Sequence, residues 1–245
     1  MIYLRPEDTF HKSWLNRLLM EIIDNPELSQ HLAFTGGTCA SMLGYLDRFS
    51  VDLDFDVLPK TDEAILRREF HSVFEALDLS IREEFDHALT FQLQYQNTPG
   101  KRSTLKVSSN SFPSRANSYK VQYFPEIDRL ANSQTLETMV ANKLVTPLDR
   151  YQLHKTIAGR DIYDIHYFLT HGYDYDTHVI TERTGVSANA YFEKLIGFIK
   201  QNVTQTLINE DLNTLLPPKQ FQQIRKILIP ETVALLLNEI NRTNS

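Results

Sequence analysis

Residues 51–58 read Val-Asp-Leu-Asp-Phe-Asp-Val-Leu, and no other stretch of the chain restricts its own conformation as tightly. A strict period of two predicts a β-strand, because successive side chains on a strand point to opposite faces. One face carries Val51, Leu53, Phe55 and Val57, and the other carries Asp52, Asp54 and Asp56. The apolar face calls for a core. The acidic face is either a solvated surface or a place for cations.

The flanking patterns predict the surroundings of this strand. Apolar residues at helical spacing (Phe10, Trp14, Leu15, Leu18, Leu19, Ile22, Ile23) predict a helix over 10–23. A short strand over 31–34 ends at Gly36-Gly37, and a helical pattern follows over 38–46. A Thr cap and early acids predict a helix over 61–77. Strands are expected at 79–84, 89–95, 103–108 and 120–123. From residue 135 the pattern is helical, over 135–150, 161–170, 188–200, 218–227 and 230–241, with the tail 241–245 expected to fray. The expected class is α/β (α+β). An N-terminal domain, 1–128, would hold a mixed sheet flanked by helices, and a mostly helical domain, 129–245, would follow. The boundary is placed in the stretch 125–133.

Composition narrows the function classes. At 245 residues, 42% apolar and 23% charged, the chain can build a sizeable core, and its 14 Phe and 11 Tyr argue against disorder. The lone Cys39 has no partner for an internal disulfide. Residues 1–9 do not resemble an export signal, and no run of about 18 apolar residues occurs, so the expected location is cytoplasmic with no membrane role. A formal charge of −6 is unlike that of a protein that coats nucleic acid indiscriminately. Any nucleic-acid contact needs a local basic surface, and the acidity equally suits a protein partner.

The chemistry concentrates in Phe34-Thr-Gly36-Gly37-Thr38 and in Asp52-Leu-Asp54. Two glycines between strand and helix let the backbone approach a ligand without Cβ interference, and a helix start offers N–H groups suited to phosphate. Thr38 would add a hydroxyl donor. Asp52 and Asp54, two apart on a strand, present both carboxylates on one side, where they repel unless a cation lies between them. Mg²⁺, with Mn²⁺ as the alternative, takes such oxygen ligands together with substrate phosphates. Each feature alone has a bland reading, a turn or a solvated strand face. Together, in the order strand, Gly-Gly, helix, acidic strand, they describe what nucleotidyl transfer needs.

Gly36-Gly37-Thr38 followed by Arg48-Phe-Ser50-x-Asp52-Leu-Asp54-Phe55 resembles the signature of the AbiEii/AbiGii toxin family, within the DNA-polymerase-β-like nucleotidyltransferase superfamily. Lys143-Leu-x5-Arg150 and Arg160-Asp161-x-x-Asp164-Ile resemble that family's second block, so the likeness covers about residues 33–169. The resemblance implies a catalytic α/β domain and a helical domain closing its cleft. It implies NTP, ATP included, as substrate, an RNA acceptor (first the tRNA 3′ end), and a cognate antitoxin as partner. It assigns Gly36, Gly37 and Thr38 to the triphosphate and Asp52 and Asp54 to the metal. Lys143 goes to the triphosphate and Asp161 becomes a second essential acid. Arg48 and Ser50 either steady the entry to the strand or touch phosphate, and Lys106 is a further candidate phosphate contact. Arg160 and Asp164, four apart, equally read as a surface helix pair.

Two departures stand out. The superfamily supplies a third carboxylate from a later strand, yet Ser108 stands where the acid should be. Pro147 falls inside a helical stretch and should kink or end it, moving Arg150 away from Lys143. Ser108 motivates a rival reading, a weakened nucleotide-binding module, and the net charge motivates another, an enzyme that attaches NMP to protein. His154, His166 and His171 read as packing or surface residues, and Cys39 as a small helix residue rather than a nucleophile.

Overall fold

The alternating stretch forms the strand β2 (Asp52–Val57), the fourth of the seven strands that the described residues form in one mixed sheet. In chain order the others are β1 (Leu32–Thr35), β3 (Ser80–Glu84), β4 (Leu89–Gln94), β5 (Thr104–Asn110), β6 (Tyr119–Phe124) and β7 (Arg129–Gln134). Across the sheet the order is β3-β4-β5-β2-β1-β7-β6. Pairs β2–β5 and β1–β7 are parallel and the rest antiparallel. This computed structural model describes residues 6–85, 88–96 and 102–243. The first residues of the N-terminal stretch and the last two of the tail lie outside the described residues; up to Thr243 the tail is helical rather than frayed.

The chain divides into two compact units: 1–113 with 118–135, and 114–117 with 136–245. The first unit contains the sheet with helices α1 (Pro6–Asp24), α2 (Pro26–His31), α3 (Gly36–Met42) and α4 (Glu63–Ala76). Its core lies on the apolar side of β2. Phe55 and Phe124 each stand within 5.5 Å, centroid to centroid, of Phe34. Phe91 packs in the same way against Phe70 and Phe74, at 5.3 and 5.1 Å. From α1, Leu15, Leu18, Leu19 and Ile22 are buried, as the helical spacing predicts. The α4 cap is Asp62, whose carboxylate accepts the Ala64 N–H, rather than the expected Thr61; the Thr61 hydroxyl donates to the Leu58 carbonyl instead.

Two elements of this unit escaped the sequence reading. The short helix α2 starts at Asn25, whose side chain accepts the Leu28 N–H, with Pro26 in the first turn. Strand β7 reads Arg-Leu-Ala-Asn-Ser-Gln, with no apolar alternation, yet it lies inside the sheet between β1 and β6. The first unit therefore runs on to Thr135, past the break read at 128/129.

The second unit contains α5 (Leu136–His154), α6 (Gly159–Thr170), α7 (Thr177–Thr184), α8 (Ala188–Asn202), α9 (Gln205–Leu212), α10 (Pro218–Ile224) and α11 (Leu228–Thr243). Leu144, Val145, Ile162, Ile165, Phe168, Val179, Ile180, Phe192 and Leu236 form its buried interior. The segment 114–117 belongs here because Glu182 holds it. Its carboxylate accepts the N–H groups of Arg115 and Ala116 and the Ser114 hydroxyl at 2.9, 2.7 and 2.9 Å. The helices α7 and α9 were also missed in the sequence, although Asp176 and Thr204 cap them.

The break expected at Pro147 does not occur. Helix α5 continues to His154 with Pro147 buried inside it. Pro147 removes the helical donor to the Lys143 carbonyl and crowds the carbonyls that follow, and here a side chain serves those: the Tyr191 hydroxyl lies 3.1 and 3.2 Å from the Leu144 and Val145 carbonyls. Packing of the flanking turns overrides the local penalty.

Candidate active site

In the first unit the site is built where β1 hands over to α3. Gly36 has φ +76°, a left-handed conformation that favours glycine. A Cβ there would lie 2.3 Å from Asp54 Oδ2 and 2.8 Å from Asp54 Cβ. The backbone turn thus closes directly onto the carboxylate of the neighbouring strand. Gly37 is tight for a different reason, since its Cβ would meet Ser50 Oγ at 3.0 Å and Arg48 Nη2 at 3.1 Å. Arg48 is buried; its guanidinium donates to the Phe49 carbonyl, and its own carbonyl accepts the Ser41 hydroxyl. The structure therefore brings Gly36, Gly37, Arg48, Ser50 and Asp54 together. Thr38 is buried with its hydroxyl donated to the Asp52 carbonyl, so it ties α3 to β2 rather than presenting that proton outward.

Sheet register decides what accompanies the two acids. Along the parallel β2–β5 ladder, Asp52 stands opposite Lys106 and Asp54 opposite Ser108. The Ser108 hydroxyl donates to Asp54 Oδ1 at 2.6 Å. The position expected to supply a third acid instead supplies a proton donor that orients the second. The Lys106 side chain is exposed and makes no hydrogen bond or ion pair among the described residues. Asp56 shares the acidic face but is buried, accepting from the Tyr119 hydroxyl at 2.9 Å and the Gln134 amide at 2.7 Å. It pins β2 to β6 and β7. Among the described residues no group of three or more His, Cys, Asp or Glu is placed to hold a metal.

Other residues of this unit are structural. Cys39 is fully buried, and burial pushes its thiol well above the usual range, opposed by a hydrogen bond with Ser133. Such a thiol stays protonated. His11, also buried, touches the Val51 carbonyl at 3.1 Å and the Tyr95 hydroxyl at 3.0 Å, so it steadies the chain just before Asp52. Tyr119, Gln134 and His11 carry no local sequence signal, because what they hold is set by distant register.

In the second unit the family-block residues form two ion pairs between α5 and α6. Lys143 Nζ lies 2.8 Å from Asp164 Oδ2, and Arg150 Nε lies 2.7 Å from Asp161 Oδ2. Asp164 and Asp161 are buried, at 0% and 1% exposure, so each ion pair sets a carboxylate against a cation away from water. Arg160 does not pair with Asp164, as their four-residue spacing suggested. It binds Asp211 through its N–H at 3.0 Å and its guanidinium at 3.3 Å. His166 pairs with Glu231, and His171 stacks on Tyr167, in keeping with packing roles.

Known structures share this fold. A candidate nucleotidyltransferase of Helicobacter pylori superposes with a TM-score of 0.59 at 20% identity, over 98% of this chain and 97% of that one. JHP933, also of Helicobacter pylori, gives 0.58 at 17% identity over 99% and 97%. MenT4, a nucleotidyltransferase toxin of Mycobacterium tuberculosis, gives 0.56 at 18% identity over 97% and 88%. No curated protein sequence matches. The model of the family "Nucleotidyl transferase AbiEii toxin, Type IV TA system" matches residues 17–233, and the chain belongs to that family of nucleotidyltransferase toxins.

Proposed function

We propose that this protein transfers an NMP group from an NTP to a hydroxyl of an acceptor RNA, first the tRNA 3′ end. Its biological role would be that of a toxin restrained by a cognate antitoxin. The observation that carries the reading is the closure of Gly36 onto Asp54, where no Cβ fits. That contact sets the glycine turn directly beside a half-buried carboxylate on the acidic strand, and family membership names the chemistry.

Asp52 and Asp54 would hold Mg²⁺ or Mn²⁺, since two hard carboxylates on one strand face suit such ions. When bound, the cation neutralises triphosphate charge and assists departure of pyrophosphate. The chain's own groups do the rest. Gly36 and Gly37 let backbone approach the phosphates. Ser108 holds the Asp54 carboxylate in one orientation. Lys106, opposite Asp52, supplies a mobile positive charge. Arg48 and Ser50 support the Gly37 backbone from below. Lys143 and Asp161 enter by family resemblance, the first toward the triphosphate and the second as an acid, each held by its ion pair. Among the described residues no helix is long and apolar enough to cross a membrane. A reaction that consumes NTP and tRNA belongs in the cytoplasm.

The test is a transfer assay with Mg²⁺, each α-³²P-labelled NTP, total tRNA and cell extract, alongside Asp52→Asn and Asp54→Asn. Label entering RNA, and absent with both variants, is expected. Label in protein instead would keep the chemistry and replace the acceptor, as the acidic net charge allows. NTP binding without transfer to anything would favour the weakened module that Ser108 suggests.

A further inference from the structure

We infer that this active site is built for a single divalent cation, with Lys106 standing in for the charge that a second one would bring. The inference rests on the nucleotidyl-transfer reading above and adds a cation count to it. Transfer sites with two ions hold them about 3.5–4 Å apart, which takes bridging and flanking carboxylates. On the acidic face of this sheet the supply can be followed strand by strand. Asp56 is buried and engaged by Tyr119 and Gln134. On the β5 side, Asp52 and Asp54 face Lys106 and Ser108. One strand further, on β4, Gln92 pairs with Lys106 and Thr90 with Ser108. On the β1 side, Asp54 faces Thr35. As far as β4 on one side and β1 on the other, the register partners of the two acids are thus an ammonium, hydroxyls and an amide; the next carboxylate in register, Glu83 on β3, lies three strands from Asp52.

Two details sharpen this. Ser108 donates to Asp54 Oδ1, which competes with use of both oxygens of that carboxylate as a bridge. The other oxygen, Oδ2, is the one pressed toward Gly36. A second cation would also sit beside the Lys106 ammonium, which repels it.

The experiment counts bound Mn²⁺ per chain by the loss of the free-ion EPR signal, using intact protein and the α,β-methylene analogues of the four NTPs. One Mn²⁺ per chain at saturating analogue is expected. Ser108→Asp, which places a carboxylate beside Asp54, should raise the count to two, and Lys106→Met should weaken analogue binding about tenfold with the count still one. Two Mn²⁺ in the wild-type protein, with the analogue tightly bound, would overturn the single-cation inference and leave nucleotidyl transfer intact. Failure of every analogue to bind would overturn the nucleotide reading itself. A Ser108→Asp protein that keeps the wild-type thermal transition but still holds one Mn²⁺ would refute the role given to Ser108.

Discussion

Replacing Gly36 by alanine tests the site at its tightest point, and Gly44 supplies an internal control. The two glycines have nearly the same backbone, φ +76° and +77°, but Gly44 has nothing within 4 Å of its would-be Cβ. An alanine forced into the left-handed region costs about 1–2 kcal/mol, offset by about 0.4–1 kcal/mol from the stiffer unfolded chain. Gly44→Ala should therefore destabilise by about 0–1.6 kcal/mol. Gly36→Ala carries the same backbone cost plus a collision with Asp54 Oδ2 at 2.3 Å. Rotating the carboxylate aside does not relieve it, because Asp54 Cβ is itself only 2.8 Å away. The turn or β2 must move, an overpacking cost of about 1–3 kcal/mol. Urea denaturation should thus separate the variants by about that amount. A shift of about 1 Å at a reacting centre costs on the order of 100-fold in rate, so Gly36→Ala should lose at least that in NMP transfer while Gly44→Ala keeps wild-type activity. Equal stability and equal activity in the two variants would refute the claim that backbone approach at Gly36 organises the site.

Three further outcomes are expected. Lys143→Met leaves the Asp164 carboxylate buried without its cation and should cost about 3–5 kcal/mol, whereas Lys143→Met with Asp164→Leu should regain most of that stability in chemical denaturation without regaining transfer. His11 is held down to about 4 by burial, aided by Arg102 and opposed by its bond to the Val51 carbonyl and by Asp8. Its unfolded value is about 6.5, so stability is full above that pH and falls by about 3 kcal/mol as pH drops to 4; His11→Gln should flatten this part of the stability–pH curve. Asp56→Asn keeps one acceptor oxygen for Tyr119 and Gln134, so it should cost about 1–2 kcal/mol yet retain transfer and Mn²⁺ binding, unlike Asp52→Asn or Asp54→Asn.

The local pattern carried much of this protein. Period-two alternation over 51–58 specified a strand, its buried face and its acidic face, because side-chain direction on a strand depends only on sequence parity. The glycine pair and the helical run after residue 135 were likewise readable, being properties of composition at fixed positions, and Ser108 stood out against the pattern of the family that the sequence resembles. Partners were not readable. Asp52, Asp54 and Asp56 look alike in the sequence, yet Tyr119 and Gln134, from strands far along the chain, turn Asp56 into a structural clasp. Strand β7 lacks a strand's alternation and is held in place by the strands on either side of it. Asp164 takes Lys143 from α5 rather than Arg160 on its own helix, and α5 runs through Pro147. Periodicity specifies which way a side chain points, whereas the group it meets depends on register between elements distant in the chain, and only the tertiary structure decides that.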